Sequence, residues 1–255
     1  MELAFRKYGE GKPLLILHGL FGQSDNWTTL ARQFSEQGYS VYTIDQRNHG
    51  LSPHSEIWTY EAMADDLKEF IELHRLEKPI LIGHSMGGKT AMFFALKYPE
   101  VLKKLIVSDI SPRRYEPHHQ EVLKGLKAVD FSKIQTRKEA ETIMMNFIPD
   151  FGTRQFLLKN IYWEDSESNR MNWRFNLKVI ERDYEEVGKE VPEGVANVEA
   201  LFIRGSKSDY ILESDRPEIQ LRFPNSHIDT IADAGHWIHA EKPKAFFDCV
   251  MNFIR

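Results

Sequence analysis

Residues 83–87 have the types and spacing that a nucleophilic serine requires. The sequence Gly-His-Ser-Met-Gly follows an apolar run that ends at Ile82, and the helix-forming segment 91–96 comes soon after it. A serine at such a sharp strand-to-helix turn has a strained backbone, and glycines two residues away on each side avoid steric clashes. Its hydroxyl would project above a sheet at a helix N-terminus, where an oxyanion is stabilised. The pattern predicts that Ser85 attacks a carbonyl carbon.

The same stretch also fits a second motif. Gly83, four further residues and then Gly88-Lys89-Thr90 form G-x-x-x-x-G-K-T, the phosphate loop of nucleotide triphosphatases, for which Asp109 would hold Mg²⁺. A third interpretation is a turn whose glycines only ease packing. Two buried strands precede the motif, whereas a phosphate loop is expected after an early strand. A phosphate loop would also leave the loops that contain His18 and His236 unexplained. The rest of the chain therefore favours the nucleophilic serine.

A nucleophilic serine needs a base, and the base needs an acid that orients it. Where the serine lies at a strand–turn–helix corner of this kind, the chain order is nucleophile, acid, histidine. His236 follows the last predicted strand, in a loop of small residues that begins Ala234-Gly235. We predict that His236 is the base.

Two backbone N–H groups are expected to stabilise the oxyanion. Met86, directly after the nucleophile, supplies one, and Leu20, in the loop after the first buried strand, supplies the other. Loss of one such donor typically costs about 3 kcal/mol of transition-state stabilisation. Phe21, which follows Leu20, and Trp237, which follows His236, are predicted to contact the substrate.

The elements that must position these residues are those of an α/β fold. Continuous apolar runs are typical of strands buried on both faces of a parallel sheet, and they occur at 14–17, 41–44, 80–82, 105–107 and 200–203. Amphipathic helices alternate with these runs, which predicts a mostly parallel sheet with helices on both faces.

The alternation stops between about Arg113 and Pro192. Amphipathic helices with no strand between them are predicted at 119–129, 136–148, 153–162 and 174–187. We therefore predict a core domain of residues 1–112 and 193–255, with a helical cap of residues 113–192 inserted into it.

Composition excludes several classes of protein. The 255 residues are 42% hydrophobic and 28% charged, which is ordinary for a globular enzyme, and the formal charge of −5 argues against a nucleic-acid partner. The single cysteine, Cys249, rules out an intramolecular disulfide framework. With neither a signal-peptide core nor a membrane-spanning segment in the sequence, we expect a cytoplasmic protein. The oligomeric state is left open.

Several motifs in this order resemble the YbfF-type bacterial esterases, which are α/β-hydrolases related to the animal abhydrolase-domain proteins. The similar segments are 18–22, 45–50, 83–89, 172–177 and 235–243, so the resemblance covers nearly the whole chain. It implies the α/β-hydrolase fold and hydrolysis of carboxylic esters, with acyl-CoA thioesters among the expected substrates. No metal or organic cofactor is expected. Alternatives are another activity of the same triad, such as a C–C hydrolase or a menaquinone-pathway-type lyase, and a ligand receptor without catalysis.

The acid is ambiguous from the residues alone, because Asp109 and Asp209 both follow apolar strands. Many α/β-hydrolases place the acid three residues after a glycine such as Gly205, and here that residue is Ser208. The YbfF-type enzymes are similar in having a serine there and in using the aspartate of the earlier strand. The resemblance therefore favours Asp109, with Ser208 as a support.

Four arginines in the predicted cap could bind a charged part of the substrate or face solvent. Arg113, Arg114, Arg170 and Arg174 would meet the phosphates of a CoA leaving group, or they lie on solvated helix faces.

Overall fold

The computed structural model describes residues 1–117, 119–164 and 170–255, and its main element there is a seven-stranded sheet. The strands are β1 (Phe5–Tyr8), β2 (Lys12–Leu17), β3 (Tyr39–Ile44), β4 (Ile80–His84), β5 (Lys104–Ser108), β8 (Glu199–Gly205) and β9 (Ser226–Ile231). Their order across the sheet is β1–β3–β2–β4–β5–β8–β9. Strand β1 pairs antiparallel with β3, and every other neighbouring pair is parallel.

Helices cover both faces of this sheet, because alternate residues of each buried strand point to opposite sides. The helices that pack on the sheet are α1 (Thr28–Ser35), α2 (Tyr60–Leu73), α3 (Met86–Lys97), α8 (Arg216–Arg222), α9 (Ile238–Glu241) and α10 (Pro243–Ile254). Leu14 and Ile16 of β2 pack into the cluster that contains α1 and α10, whereas Leu15 and Leu17 pack with α2 and α3. The predicted α/β fold with a mostly parallel sheet is therefore confirmed.

None of the helices in the described ranges is long and apolar enough to cross a membrane. Helix α2 has 14 residues, whereas a transmembrane helix needs about 20 apolar residues.

The segment predicted as a cap is largely helical but also contains a hairpin. Its helices are α4 (Gln120–Ala128), α5 (Arg137–Met144), α6 (Phe151–Leu158) and α7 (Leu177–Arg182), followed by a 3₁₀ turn at Tyr184–Gly188. Strands β6 (Ile161–Trp163) and β7 (Met171–Trp173) pair antiparallel. The expectation of no strand in this segment was therefore wrong, because strands of three residues are too short to show an alternating pattern. The division into core and cap stays a prediction.

The two connections between this segment and the sheet lie side by side. Val191 N donates to Pro112 O at 2.8 Å, and Tyr115 N donates to Gly188 O at 2.8 Å. We call residues 112–115 and 188–191 the junction.

Lys89 on α3 joins both sides of the junction. Its buried ammonium donates to the carbonyl oxygens of Pro112 (3.1 Å), Arg113 (2.6 Å) and Lys189 (2.7 Å). Burial lowers the pKa of Lys89 to about 7, but three acceptors match the three donors of the ammonium. The next residue of the motif, Thr90, donates to Gln46 Oε1. Lys89 and Thr90 thus have structural partners, which argues against the phosphate loop.

Candidate active site

The turn between β4 and α3 has the geometry of a nucleophile elbow. Ser85 adopts φ 52° and ψ −118°, a region that L-residues rarely enter, and its N–H donates to Ser108 O at 3.0 Å. A Cβ on Gly83 would lie 2.2 Å from Gly87 O, and a Cβ on Gly87 would lie 2.5 Å from Leu17 O. Both glycines are therefore required for the chain to make this turn.

Ser85, His236 and Asp109 form one hydrogen-bonded chain. His236 Nε2 lies 3.0 Å from Ser85 Oγ, and His236 Nδ1 lies 2.8 Å from Asp109 Oδ2. A carboxylate only accepts hydrogen bonds, so Nδ1 carries the imidazole proton and Nε2 is left to accept one from the serine. The structure thus brings together the three residues that the sequence analysis selected.

Asp109 follows β5 with φ 53° and is fully buried. Gly205 N donates to its Oδ1 at 3.0 Å, and Ser208 Oγ donates to its Oδ2. Burial raises the pKa of Asp109 to about 6, while the bonds from Ser208 and Gly205 act in the opposite direction. The carboxylate is therefore held from both sides in a poorly solvated place.

Asp209 lies elsewhere. It is exposed, and its backbone carbonyl accepts a hydrogen bond from Arg113 Nη2 at 3.1 Å. Ser208, one residue earlier, is the member of this loop whose side chain reaches Asp109. Of the two candidate acids, Asp109 contacts the histidine.

The loop that carries Leu20 is fixed beside Ser85 by the ring of His18. Gln46 N donates to His18 Nε2 at 3.0 Å, so Nδ1 carries the proton and donates to Gly19 O at 2.8 Å. Burial lowers the pKa of His18 to about 4, which keeps the ring neutral. A Cβ on Gly19 would lie only 3.3 Å from Ser85 Cβ. The glycine therefore keeps space open next to the serine.

Leu20 and Met86, the two predicted oxyanion donors, both line the cavity that contains Ser85. Phe21 also lines it, with φ 58° and its ring 4.8 Å from that of Phe175. Trp237 forms another part of the wall, with its ring 5.8 Å from that of Phe156. All four residues predicted for the oxyanion and substrate sites are therefore placed around Ser85.

The cavity has a volume of about 100 Å³ and is walled by residues of both the sheet-bearing part and segment 113–192. Its apolar lining includes Leu20, Phe21, Met86, Ile110, Pro117, Val122, Phe156, Leu157, Val187 and Trp237. His119 and Tyr184 add polar atoms to the wall, and the His119 N–H donates to Tyr184 Oη at 3.0 Å. The cavity suits a small apolar group bound next to the serine.

Two contacts of His236 were not anticipated from the sequence. His84 Nε2 donates to the His236 carbonyl at 2.9 Å, and burial lowers the pKa of His84 to about 3, so its ring stays neutral. The ring of Tyr210 stacks on the His236 imidazole with centroids 3.8 Å apart and an interplanar angle of 19°. His84 occupies a variable position of the serine motif. Tyr210 follows Ser208 by two residues, and no local pattern distinguishes it.

Each of the four arginines of the sequence analysis has an acidic or aromatic partner nearby. Arg113 pairs with Asp215 at 3.2 Å, Arg114 lies 3.8 Å from Glu185, and Arg170 lies 3.3 Å from Glu164. The guanidinium of Arg174 lies 4.8 Å from the Tyr162 ring centroid. Arg113 and Arg114 lie in the junction, whereas Arg170 and Arg174 flank β7. Their partners agree better with surface positions than with a phosphate-binding site.

No group of three or more His, Cys, Asp or Glu residues is arranged to hold a metal ion in the part of the chain that the structure describes.

The chain belongs to the α/β-hydrolase family. The model of the alpha/beta hydrolase fold matches residues 12–243, and the sheet, the elbow and the chain order of serine, aspartate and histidine agree with it. Aspartate and histidine both follow the serine here, with Asp109 coming from the strand next to the elbow.

The more specific relatives include bacterial and animal proteins. Esterase YbfF of Escherichia coli is 37% identical, with 95% of this chain and 92% of that protein covered. The sn-1-specific diacylglycerol lipase ABHD11 of Danio rerio is 39% identical, with coverage of 97% and 80%. A solved structure, the marine microorganism esterase, is 44% identical with a TM-score of 0.95 and 99% of both chains covered. The predicted resemblance to YbfF-type esterases is confirmed.

Proposed function

We propose that this protein is a carboxylic ester hydrolase that acts through an acyl-enzyme intermediate on Ser85. The observation that carries the proposal is the hydrogen-bonded chain from Ser85 to His236 and Asp109, which ends in an apolar cavity. Relatives named as esterases and lipases support the same activity.

In the first half of the reaction, Ser85 Oγ attacks the ester carbonyl carbon while His236 Nε2 removes its proton. The carbonyl oxygen becomes an oxyanion, which the backbone N–H groups of Leu20 and Met86 are proposed to stabilise. Asp109 stabilises the imidazolium and keeps Nδ1 protonated. His236 then gives the proton to the alkoxide oxygen of the leaving alcohol, and the acyl group remains on Ser85.

In the second half, water replaces the alcohol. His236 Nε2 takes a proton from the water as it attacks the acyl carbon, and the same proton returns to Ser85 Oγ when the acid product leaves. Every proton transfer in this scheme uses side chains of this chain, the substrate or water.

The cavity supports a substrate with a short apolar acyl group. About 100 Å³ is less than the roughly 150 Å³ of an apolar cavity that admits benzene. A long acyl chain would require segments of 113–192 to move away from the serine. The paired arginines give no specific support for a CoA leaving group, so a simple alcohol is the better candidate.

A panel of acyl donors tests the proposal. Purified protein is assayed with p-nitrophenyl acetate, butyrate and dodecanoate, and with acetyl-CoA and butyryl-CoA as matched thioesters. We expect the highest kcat/KM with the short oxygen esters, without added metal, and covalent labelling of Ser85 by a fluorophosphonate probe. Absence of turnover with every donor, together with binding of the same compounds, would instead support the ligand-receptor alternative.

The pH dependence of kcat/KM follows from the groups in the site. At low pH a protonated His236 cannot accept the serine proton, and a protonated Asp109 cannot stabilise the imidazolium. The pKa of Asp109 is raised to about 6, and an ordinary imidazole has a pKa of about 6.5. Protonation of either group lowers the rate. We therefore expect kcat/KM to rise with pH, with an apparent pKa of about 6 to 7 for the His236–Asp109 pair. A profile that is flat from pH 5 to 9, with chemistry rate-limiting, would contradict the assignment of the base.

A further inference from the structure

The loop that follows β8 contacts two members of the hydrogen-bonded chain at once. Its first part holds Asp109 through Gly205 N and Ser208 Oγ. Further along the loop, Tyr210 stacks its ring on the His236 imidazole, with centroids 3.8 Å apart and the planes inclined by 19°. The imidazole therefore has the carboxylate at its Nδ1 edge and an aromatic ring against one face.

Tyr210 is held in this place by its own backbone. Its N–H donates to Ser208 Oγ at 3.3 Å, and its carbonyl accepts a hydrogen bond from the hydroxyl of Tyr115. The Tyr115 hydroxyl in turn accepts from Ser111 N at 2.8 Å, and both tyrosines line the cavity. Because both backbone polar groups of Tyr210 are hydrogen-bonded, the stacked ring is held in place in the site.

An aromatic face attracts a cation more strongly than it attracts a neutral ring, because the π-electrons give the face partial negative charge. His236 is neutral before the reaction and positively charged in both transition states of the proposed mechanism. The stacked ring therefore favours the charged form, which is the form that the reaction must create.

Among the described residues, four others next to His236 contact it in different ways. Asp109 contacts its Nδ1 edge, and Ser85 contacts Nε2. His84 and His239 lie near the ring, but burial lowers the pKa of both, so they stay neutral. Asp209 is exposed to solvent. At neutral pH, the Asp109 carboxylate and the Tyr210 ring therefore both favour a charged imidazole.

We propose that Tyr210 is a positioning residue that fixes the orientation of the His236 imidazole and stabilises its charged form during catalysis. The inference rests on the proposed ester hydrolysis, since it assigns a partner to the same base.

The test compares Tyr210→Leu, which removes the ring, with Tyr210→Phe, which keeps it and serves as the matched control. A cation–π interaction of ordinary size corresponds to a fall in kcat of about 3- to 30-fold for the leucine variant. For Tyr210→Leu, the apparent pKa in the profile of kcat/KM against pH should fall by about half a pH unit or more. Tyr210→Phe should stay within about twofold of wild type in kcat and keep the wild-type profile.

Two results would overturn the proposal. One is a leucine variant with wild-type kcat and an unchanged pH profile. The other is an equal loss in both variants, since that would assign the effect to the hydroxyl. Should Tyr210→Leu fail to fold, Tyr210→Met replaces it, because methionine fills a similar volume without a ring.

A second readout separates this inference from the proposed function. The pKa of His236 is measured by NMR titration of its ring protons, with the ring variants built in a Ser85→Ala background that cannot turn over. We expect a lower pKa in the leucine variant than in the tyrosine and phenylalanine proteins, and equal values in all three would contradict the proposal. If wild type hydrolysed no ester, the proposed function would fail, while this comparison would still test the stacking.

Discussion

Replacement of Ser85 with alanine should lower kcat for p-nitrophenyl acetate by about 10⁵-fold or more, by analogy with the loss of the nucleophile in serine proteases. The reason is that Ser85 supplies the hydroxyl that lies 3.0 Å from His236 Nε2 and is placed to lose its proton to that nitrogen. Without Ser85 Oγ, the reaction would need direct attack by water in a cavity shaped for an acyl group. The measurement is steady-state hydrolysis, with intact-mass detection of the fluorophosphonate adduct.

The matched control is Ser132→Ala, which removes an exposed hydroxyl that donates to Asp130 and lies outside the cavity lining. We expect the control to keep wild-type turnover and labelling, and both variants to keep the wild-type melting temperature. If Ser85→Ala retained more than about a hundredth of the activity, Ser85 would not be the nucleophile.

Replacement of Asp109 with asparagine should lower kcat by about 10⁴-fold, the size of the effect of the same change in serine proteases. An asparagine amide can donate to His236 Nδ1, which stabilises the tautomer whose Nε2 is protonated and unable to accept the serine proton. The steady-state rates of the variant and wild type are compared at pH 8, where the imidazole of wild type is largely neutral.

Asp209→Asn is the matched control, because the same chemical change is then made on an exposed side chain one residue after Ser208. It should stay within a few-fold of wild type, and Ser208→Ala should fall between the two, since it removes one donor to the Asp109 carboxylate. A large loss in Asp209→Asn with a nearly normal Asp109→Asn would assign the acid to the later strand.

The stability of Asp109→Asn has an expected sign as well. Burial raises the pKa of Asp109 to about 6, above its ordinary value, so the folded state binds the proton more tightly than the unfolded state. The stability from this group is lost as pH rises through the folded-state pKa, and the ionised carboxylate is unfavourable at neutral pH. Asparagine avoids that penalty. The melting temperature at pH 7 should therefore be equal to or above that of wild type, which separates loss of catalysis from loss of fold.

The sheet and the serine turn could be predicted because their causes are local. Strands buried on both faces require continuous apolar runs, as in Leu14 to Leu17, and the elbow requires glycines because Gly83 and Gly87 lie against backbone atoms. His236 could be placed because a histidine is expected after the last strand. These features need little knowledge of how distant parts of the chain meet.

The contacts that were missed depend on the path of loops in space. The Tyr210 ring meets a histidine 26 residues later in the chain, and no period or motif encodes such a contact. The choice between Asp109 and Asp209 likewise depended on the backbone turn at Asp109, with its positive φ. The hairpin of β6 and β7 was missed because each strand has three residues, with Trp173 buried next to Phe131 and Phe175 rather than in an alternating run.

The junction has a consequence for protein engineering. The chain leaves the sheet-bearing part at Pro112 and returns at Val191, and these two residues are joined by a backbone hydrogen bond of 2.8 Å. We therefore expect that the predicted cap can be exchanged as a cassette, because its ends are adjacent and a short turn would bridge the same gap without moving the strands. Lys89 supplies the common attachment point, since its ammonium binds carbonyl oxygens on both sides. A transplanted segment that presents two carbonyls in place of those of Arg113 and Lys189 would be docked on the helix that directly follows the serine.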